Sequence, residues 1–148
     1  FCDGQVGPRH VNNECEPPDE ECKPIYRDPG KIVLLAGPDK FSTHGRINDA
    51  SIDLASEAIR FRLKNDTATA YDATFVLDPF GSQWKVSGAG FSVKMRVRDS
   101  DWRYWLVDDR DELSDFTPDM LIRIDVNGVC FLHRPQWYPF SKGWKFRR

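Results

Sequence analysis

The segment FSVKMRVR, residues 91–98, decides the fold. Phe91, Val93, Met95 and Val97 alternate with Ser92, Lys94, Arg96 and Arg98. A period of two marks a strand with one face buried and the other in water. IRFRLK at 59–64 repeats the pattern, with Ile59, Phe61 and Leu63 directed inward and Arg60, Arg62 and Lys64 outward. LIRIDVNGVCFLH (121–133) reads as a hairpin. Its Asn127-Gly128 suits the two positive-φ positions of a type I′ turn, and Ile122, Ile124 and Val126 precede it at strand spacing. Strands are also predicted at KIVLLA (31–36), ATFVL (73–77) and WRYWLV (102–107), and turns at DPFGSQW (78–84) and SGAG (87–90).

Only NDASIDLASEA (48–58) competes as a helix, capped by Asn48 or Asp49 and with Ile52, Ala55 and Ile59 on one face. Leu54 and Phe61 point the other way, so a helix there is short or absent. The pattern as a whole predicts a mainly β fold, an antiparallel β-sandwich or a partly closed barrel. An α+β arrangement with one short helix on the sheet is the alternative. No internal repeat stands out.

A chain of 148 residues fits one domain. The simplest division is an irregular, acidic, Cys/Pro-rich arm over 1–30 and a single β-rich domain over 31–148. The arm carries seven acids against Arg9, Lys23 and Arg27, and its unit ECEPPDEEC combines prolines and like charges that oppose regular structure. Residues 99–119 hold eight acids against Arg103 and Arg110. Residues 134–148 carry five cations and no acid. The formal charge of −2 therefore conceals patches of opposite sign.

Cys2, Cys15, Cys22 and Cys130 form an even set that allows three pairings. There is no CxxC, and His10, His44 and His133 sit at no ligand spacing, so disulfides are expected and no metal or other cofactor. A bond from Cys130 has to return to the N-terminal segment. The chain opens on Phe1-Cys2, as a mature protein does once a signal peptide is removed. Its longest apolar run, IVLLA at 32–36, falls far short of the ~18 residues of a transmembrane segment. A secreted, extracellular protein without a transmembrane segment is expected, with Asn65 in the sequon Asn65-Asp66-Thr67 as a glycosylation acceptor.

Motifs for nucleophilic, nucleotide-dependent or zinc chemistry (GxSxG, the Walker loop, HExxH, the dinucleotide fingerprint) are missing. The acid-rich 108–119 stretch lacks the spacing of an EF-hand. A ribonuclease-like set of His44, Glu57, Arg60 and His133 can be assembled on paper, making a small secreted toxin one alternative. The stronger feature is the pair of outward basic triplets with nearby aromatics. Like charges directly across a strand pair repel, so neighbouring triplets call for folded-over acids or an anionic ligand. Arg60, Arg62, Lys94, Arg96, Arg98, Arg103, Trp105 and Trp144 are the candidate ligand-binding residues. The function expected is that of a non-catalytic, lectin-like binding protein for an acidic glycan or an acidic protein surface. Nucleic acid is not the expected partner. A secreted effector that binds a host protein is the other alternative. Sequence leaves the oligomeric state open.

The final stretch RPQWYPFSKGWKFRR (134–148) contains Pro139 and Gly143, which disfavour a central strand. It is expected to pack over an open end of the core, with Trp137, Tyr138 and Phe140 buried and residues 144–148 partly exposed.

Overall fold

A computed structural model describes residues 17–26, 30–33, 39–48, 52–55, 58–98, 101–110, 112–113, 115–126 and 128–146. The strands in chain order begin with β1 (Lys23–Pro24), β2 (Gly30–Val33), β3 (Lys40–Ile47), β4 (Ile59–Lys64) and β5 (Thr69–Phe75). They continue with β6 (Asp78–Phe80), β7 (Gln83–Gly88), β8 (Phe91–Arg98) and β9 (Asp101–Asp108). The last are β10 (Leu121–Val126), β11 (Val129–His133), β12 (Tyr138–Phe140) and β13 (Gly143–Phe146).

They form two sheets, one ordered β1-β11-β10-β4-β5 and one β12-β13-β2-β3-β9-β8-β7-β6. All pairings are antiparallel except β1 with β11. The protein is therefore nearly all β, a two-sheet sandwich and not a closed barrel. Among the described residues no α-helix occurs, and Asp19–Glu21 form a single 3-10 turn; residues 52–55 make a turn that buries Ile52 and Leu54. The sheets meet through rings: Phe61 of β4 lies 5.9 Å from Tyr104 of β9, Tyr71 of β5 lies 5.1 Å from Phe41 of β3, and Phe75 stacks on Phe91. The alternation in 59–64 and 91–98 thus places Phe61, Leu63, Val93 and Met95 in the core.

Three elements differ from the sequence expectation. β3 had no strand signal, because its inward positions are Phe41, Thr43, Gly45 and Ile47, and threonine and glycine dilute the apolar alternation. The DPFGSQW stretch holds more than a turn: Asp78–Phe80 and the start of β7 pair around it. The C-terminal stretch is a correction of the same kind. It forms the β12–β13 hairpin, and β13 pairs with β2 inside the sheet. Trp137 is buried as expected, donating its indole N–H to the Met120 carbonyl at 3.0 Å. Tyr138 instead is exposed, and Phe146 is buried against Trp137. Pro139 fits because β12 is an edge strand, where a missing N–H costs no ladder bond.

The N-terminal region is tied to the five-stranded sheet. Cys22 is bonded to Cys130 of β11, and β1 extends the sheet beside it. Cys2 and Cys15 lie outside the described residues.

The eight-stranded sheet has an internal repeat. Pro79-Phe80-x3-Trp84-Lys85 forms the hairpin at one edge and Pro139-Phe140-x3-Trp144-Lys145 the hairpin at the other. Their registers coincide: Pro79 faces Trp84 as Pro139 faces Trp144, and Phe80 faces Gln83 as Phe140 faces Gly143. One strand inward, Lys85 opposes Lys94 as Lys145 opposes Lys31. The half β12-β13-β2-β3 is thus related to β6-β7-β8-β9 by a pseudo-two-fold axis between β3 and β9. The hairpin motif is contiguous in the sequence at both places, but the strands beside it are out of order, because β2–β3 precedes the β12–β13 hairpin of its half by about a hundred residues in the chain.

Candidate functional site

The two basic triplets do not share a surface. β4 and β8 belong to different sheets, and their outward faces point to opposite sides of the sandwich. Arg60 makes a two-pronged bond to Asp72 of β5 at 2.8 and 2.7 Å. Arg62 is buried and bonds to Asp125 at 2.8 Å, and Lys64 reaches Asp19 at 3.0 Å. Arg62 also faces Arg123 directly across β4 and β10. That repulsion is offset by carboxylates, since Arg123 bonds to both Asp125 and Asp19 and to the Pro17 carbonyl. Burial opposes ionisation of Asp125 and Asp19. The arginine and lysine hydrogen bonds outweigh it and hold both carboxyls below the usual carboxylate range. This side of the molecule is an internally neutralised network under the N-terminal segment.

The outer face of the eight-stranded sheet is built differently. Register places Arg46 of β3, Arg103 of β9 and Arg96 of β8 directly side by side on three adjacent strands. The next row runs His44, Trp105, Lys94, Lys85. Beyond it, Lys31 and Lys145 lie opposite each other at the far side. Asp101 bonds to Arg46 at 3.2 Å and to Asn48 at 2.6 Å, and among the described residues no other carboxylate bonds to the arginine row. The Nε groups of Arg46 and Arg103 are buried without a hydrogen-bond partner among the described residues. Aromatic rings lie between the charges. Lys94 Nζ sits 4.7 Å from the Trp105 ring centre and Lys85 Nζ 3.9 Å from that of Phe80. Depressions open on this face, among them one of about 320 Å³ between Lys31, His44 and Lys145 and one of about 160 Å³ between His44, Arg46, Arg103 and Trp105.

Of the sequence-derived candidates, Lys94, Arg96, Arg103 and Trp105 come together here, while Arg60 and Arg62 lie on the other side. Trp144 faces inward, 6.0 Å from Phe116. Arg98 pairs through its backbone with Asp101 at the end of β8. Sequence reasoning missed Arg46, Lys85, Lys31 and Lys145; the signal that finds them is the register of β3 and the repeated hairpin. The paper ribonuclease set is dispersed. His44 lies on this outer face, Arg60 on the opposite one, and His133 of β11 stacks on Phe146 at 5.3 Å. Glu57 lies outside the described residues. Asn65 holds the β4–β5 turn: its Oδ1 accepts from the Thr67 and Ala68 amides, and its Nδ2 donates to Thr117 and Asp119.

The acid-rich stretch after β9 is partly structural. Asp108 is buried, accepting from Tyr71 at 2.6 Å and from Arg110 at 2.7 Å, and Arg110 in turn covers the Phe91 ring. Burial opposes its charge, but those donors prevail and keep Asp108 below the ordinary carboxylate value. Asp39, also buried, accepts from the Leu113 amide at 2.7 Å and pins the following loop. Among the described residues no group of His, Cys, Asp or Glu has a metal-holding arrangement, and no helix is long and apolar enough to cross a membrane. The chain matches no family model, no curated protein and no solved structure.

Proposed function

We propose that this protein is a secreted, non-catalytic binding protein whose outer eight-stranded face takes an acidic partner, an acidic glycan above all. The observation that carries this reading is the contrast between the two arginine pairings. On one sheet Arg62 and Arg123 oppose each other and carboxylates neutralise them; on the other Arg46, Arg103 and Arg96 stand abreast, and among the described residues Asp101 is the one carboxylate bonded to them. Directly opposed like charges destabilise a sheet, and an anion from outside relieves the second row as the internal acids relieve the first. Secretion is supported by the Cys22–Cys130 bond, since disulfides persist in oxidising compartments.

Chromatography on immobilised heparin at low salt tests the reading. The native protein is retained, and Lys94→Glu/Arg96→Glu elutes early, whereas Arg60→Ala, on the opposite face, elutes with the native form. Equal retention of the native protein and the Lys94/Arg96 double variant overturns it. Arg62 is unsuitable for such a test because its substitution disrupts a buried ion pair.

A further inference from the structure

The duplicated hairpins carry more than fold symmetry. Their prolines suit edge strands, and Trp84 and Trp144 face the interior at equivalent positions. Packing accounts for those residues. It does not account for the outward pair, Phe80 with Lys85 and Phe140 with Lys145, because Phe80 is 57% exposed and both lysines are exposed. At each edge the ammonium is held against the ring. Lys85 Nζ lies 3.9 Å from the Phe80 centre, while Lys145 and Lys31 lie 5.6 and 5.9 Å from that of Phe140. A ring in this position fixes a lysine that would otherwise sweep through solvent, so each hairpin presents a preset cation beside a second one, Lys94 or Lys31.

We infer that the two hairpins are related anion clamps at opposite ends of one face, with Asp78 facing Lys85 where Tyr138 faces Lys145, and that a single linear acidic polysaccharide spans both. The inference rests on the proposed function and adds the ligand's shape. Lys85 on β7 and Lys145 on β13 stand five strand spacings apart in the sheet, on the order of 25 Å at about 4.8 Å per spacing. The path between them crosses both depressions around His44 and the end of the arginine row. A linear polysaccharide fits better than single-stranded nucleic acid, which binds by stacking bases on open aromatic rings. Here the outward rings Phe80, Trp105 and Phe140 each have a lysine ammonium near them, while Tyr138, opposite Lys145 at the β12 edge, is exposed. At those three rings the face offers charge where a base would need a bare ring.

The test is titration calorimetry with heparin oligosaccharides graded from disaccharides to chains longer than the clamp-to-clamp span. Short chains should bind two per protein and weakly. Chains that reach both clamps should bind one per protein, with affinity higher by on the order of 100-fold, as expected when the second contact becomes intramolecular. Lys85→Glu and Lys145→Glu, both exposed substitutions, should each abolish that gain and leave one weak site. Binding of one chain per protein at every length, with no affinity step, overturns the two-clamp inference while leaving the proposed function standing. Tighter binding of single-stranded DNA than of heparin of equal charge also overturns it. Absence of binding at every length and low salt removes the proposed function itself.

Discussion

Arg62 faces Arg123 across β4 and β10, and Arg103 lies between Arg46 and Arg96 across β9 and its neighbours. At the residue scale the first pair is a stability element. Arg123 is 2% exposed and bonds to Asp125, Asp19 and the Pro17 carbonyl, so truncating it strands two carboxylates under the N-terminal segment. Arg123→Ala should lower unfolding stability by about 3–5 kcal/mol in a urea titration; a loss within the range of ordinary surface changes would contradict the network. The same carboxyls set an acid limit. Asp19, Asp108 and Asp125 have folded pKa values below their unfolded ones. Just below the unfolded carboxylate value of about 3.9 the unfolded chain therefore binds more protons. Their stabilisation is complete above that pH and disappears as pH falls through the lower folded values. The urea midpoint should stay flat with respect to these groups above pH 5 and fall steeply below about pH 4, and Asp125→Asn should flatten part of that fall.

At the element scale the C-terminal hairpin and the disulfide hold the open ends. Trp137 packs edge-on against Phe116 at 5.0 Å and Phe146 at 4.7 Å, beside its bond to Met120. Trp137→Ala should cost about 3–5 kcal/mol, the range for a buried large aromatic, read as a shifted midpoint in the same titration. The Cys22–Cys130 bond closes a separation of 108 residues. Cys22→Ser/Cys130→Ser should cost about 2–4 kcal/mol, mainly by freeing the unfolded chain, and a reducing agent should lower the native protein's thermal midpoint in the same direction. Strands with strict alternation, 59–64 and 91–98, were legible in the sequence because their inward residues are all large and apolar. β3 was not, since Thr43 and Gly45 occupy two of its inward positions and are covered by tertiary contacts alone. The C-terminal hairpin was read as a cap because Pro139 argues against a strand, and only the sheet order shows that Pro139 sits on an edge.

At the scale of the whole molecule, the described residues divide their charge between a self-neutralised side and one where Asp101 is the carboxylate bonded to the arginine row. Alternation in the sequence shows that Arg60 and Arg96 both point outward, yet it contains nothing about which sheet each strand joins. Half of the candidate site was therefore legible, namely Lys94, Arg96, Arg103 and Trp105, and the assignment of Arg60 and Arg62 to the same surface was not. The remainder of the face depends on contacts between β3, β9 and the two repeated hairpins, which are distant in the chain. The most direct measurement is the salt dependence of heparin affinity for the native protein and for Arg96→Glu, Arg103→Glu and Arg60→Ala. Each anion contact to a cation contributes about one unit to the slope of log affinity against log salt. Arg96→Glu and Arg103→Glu should each flatten the slope by about that amount, with Arg60→Ala leaving it unchanged. A slope reduced by Arg60→Ala and untouched by the other two would place the contact surface on the wrong sheet and contradict the account.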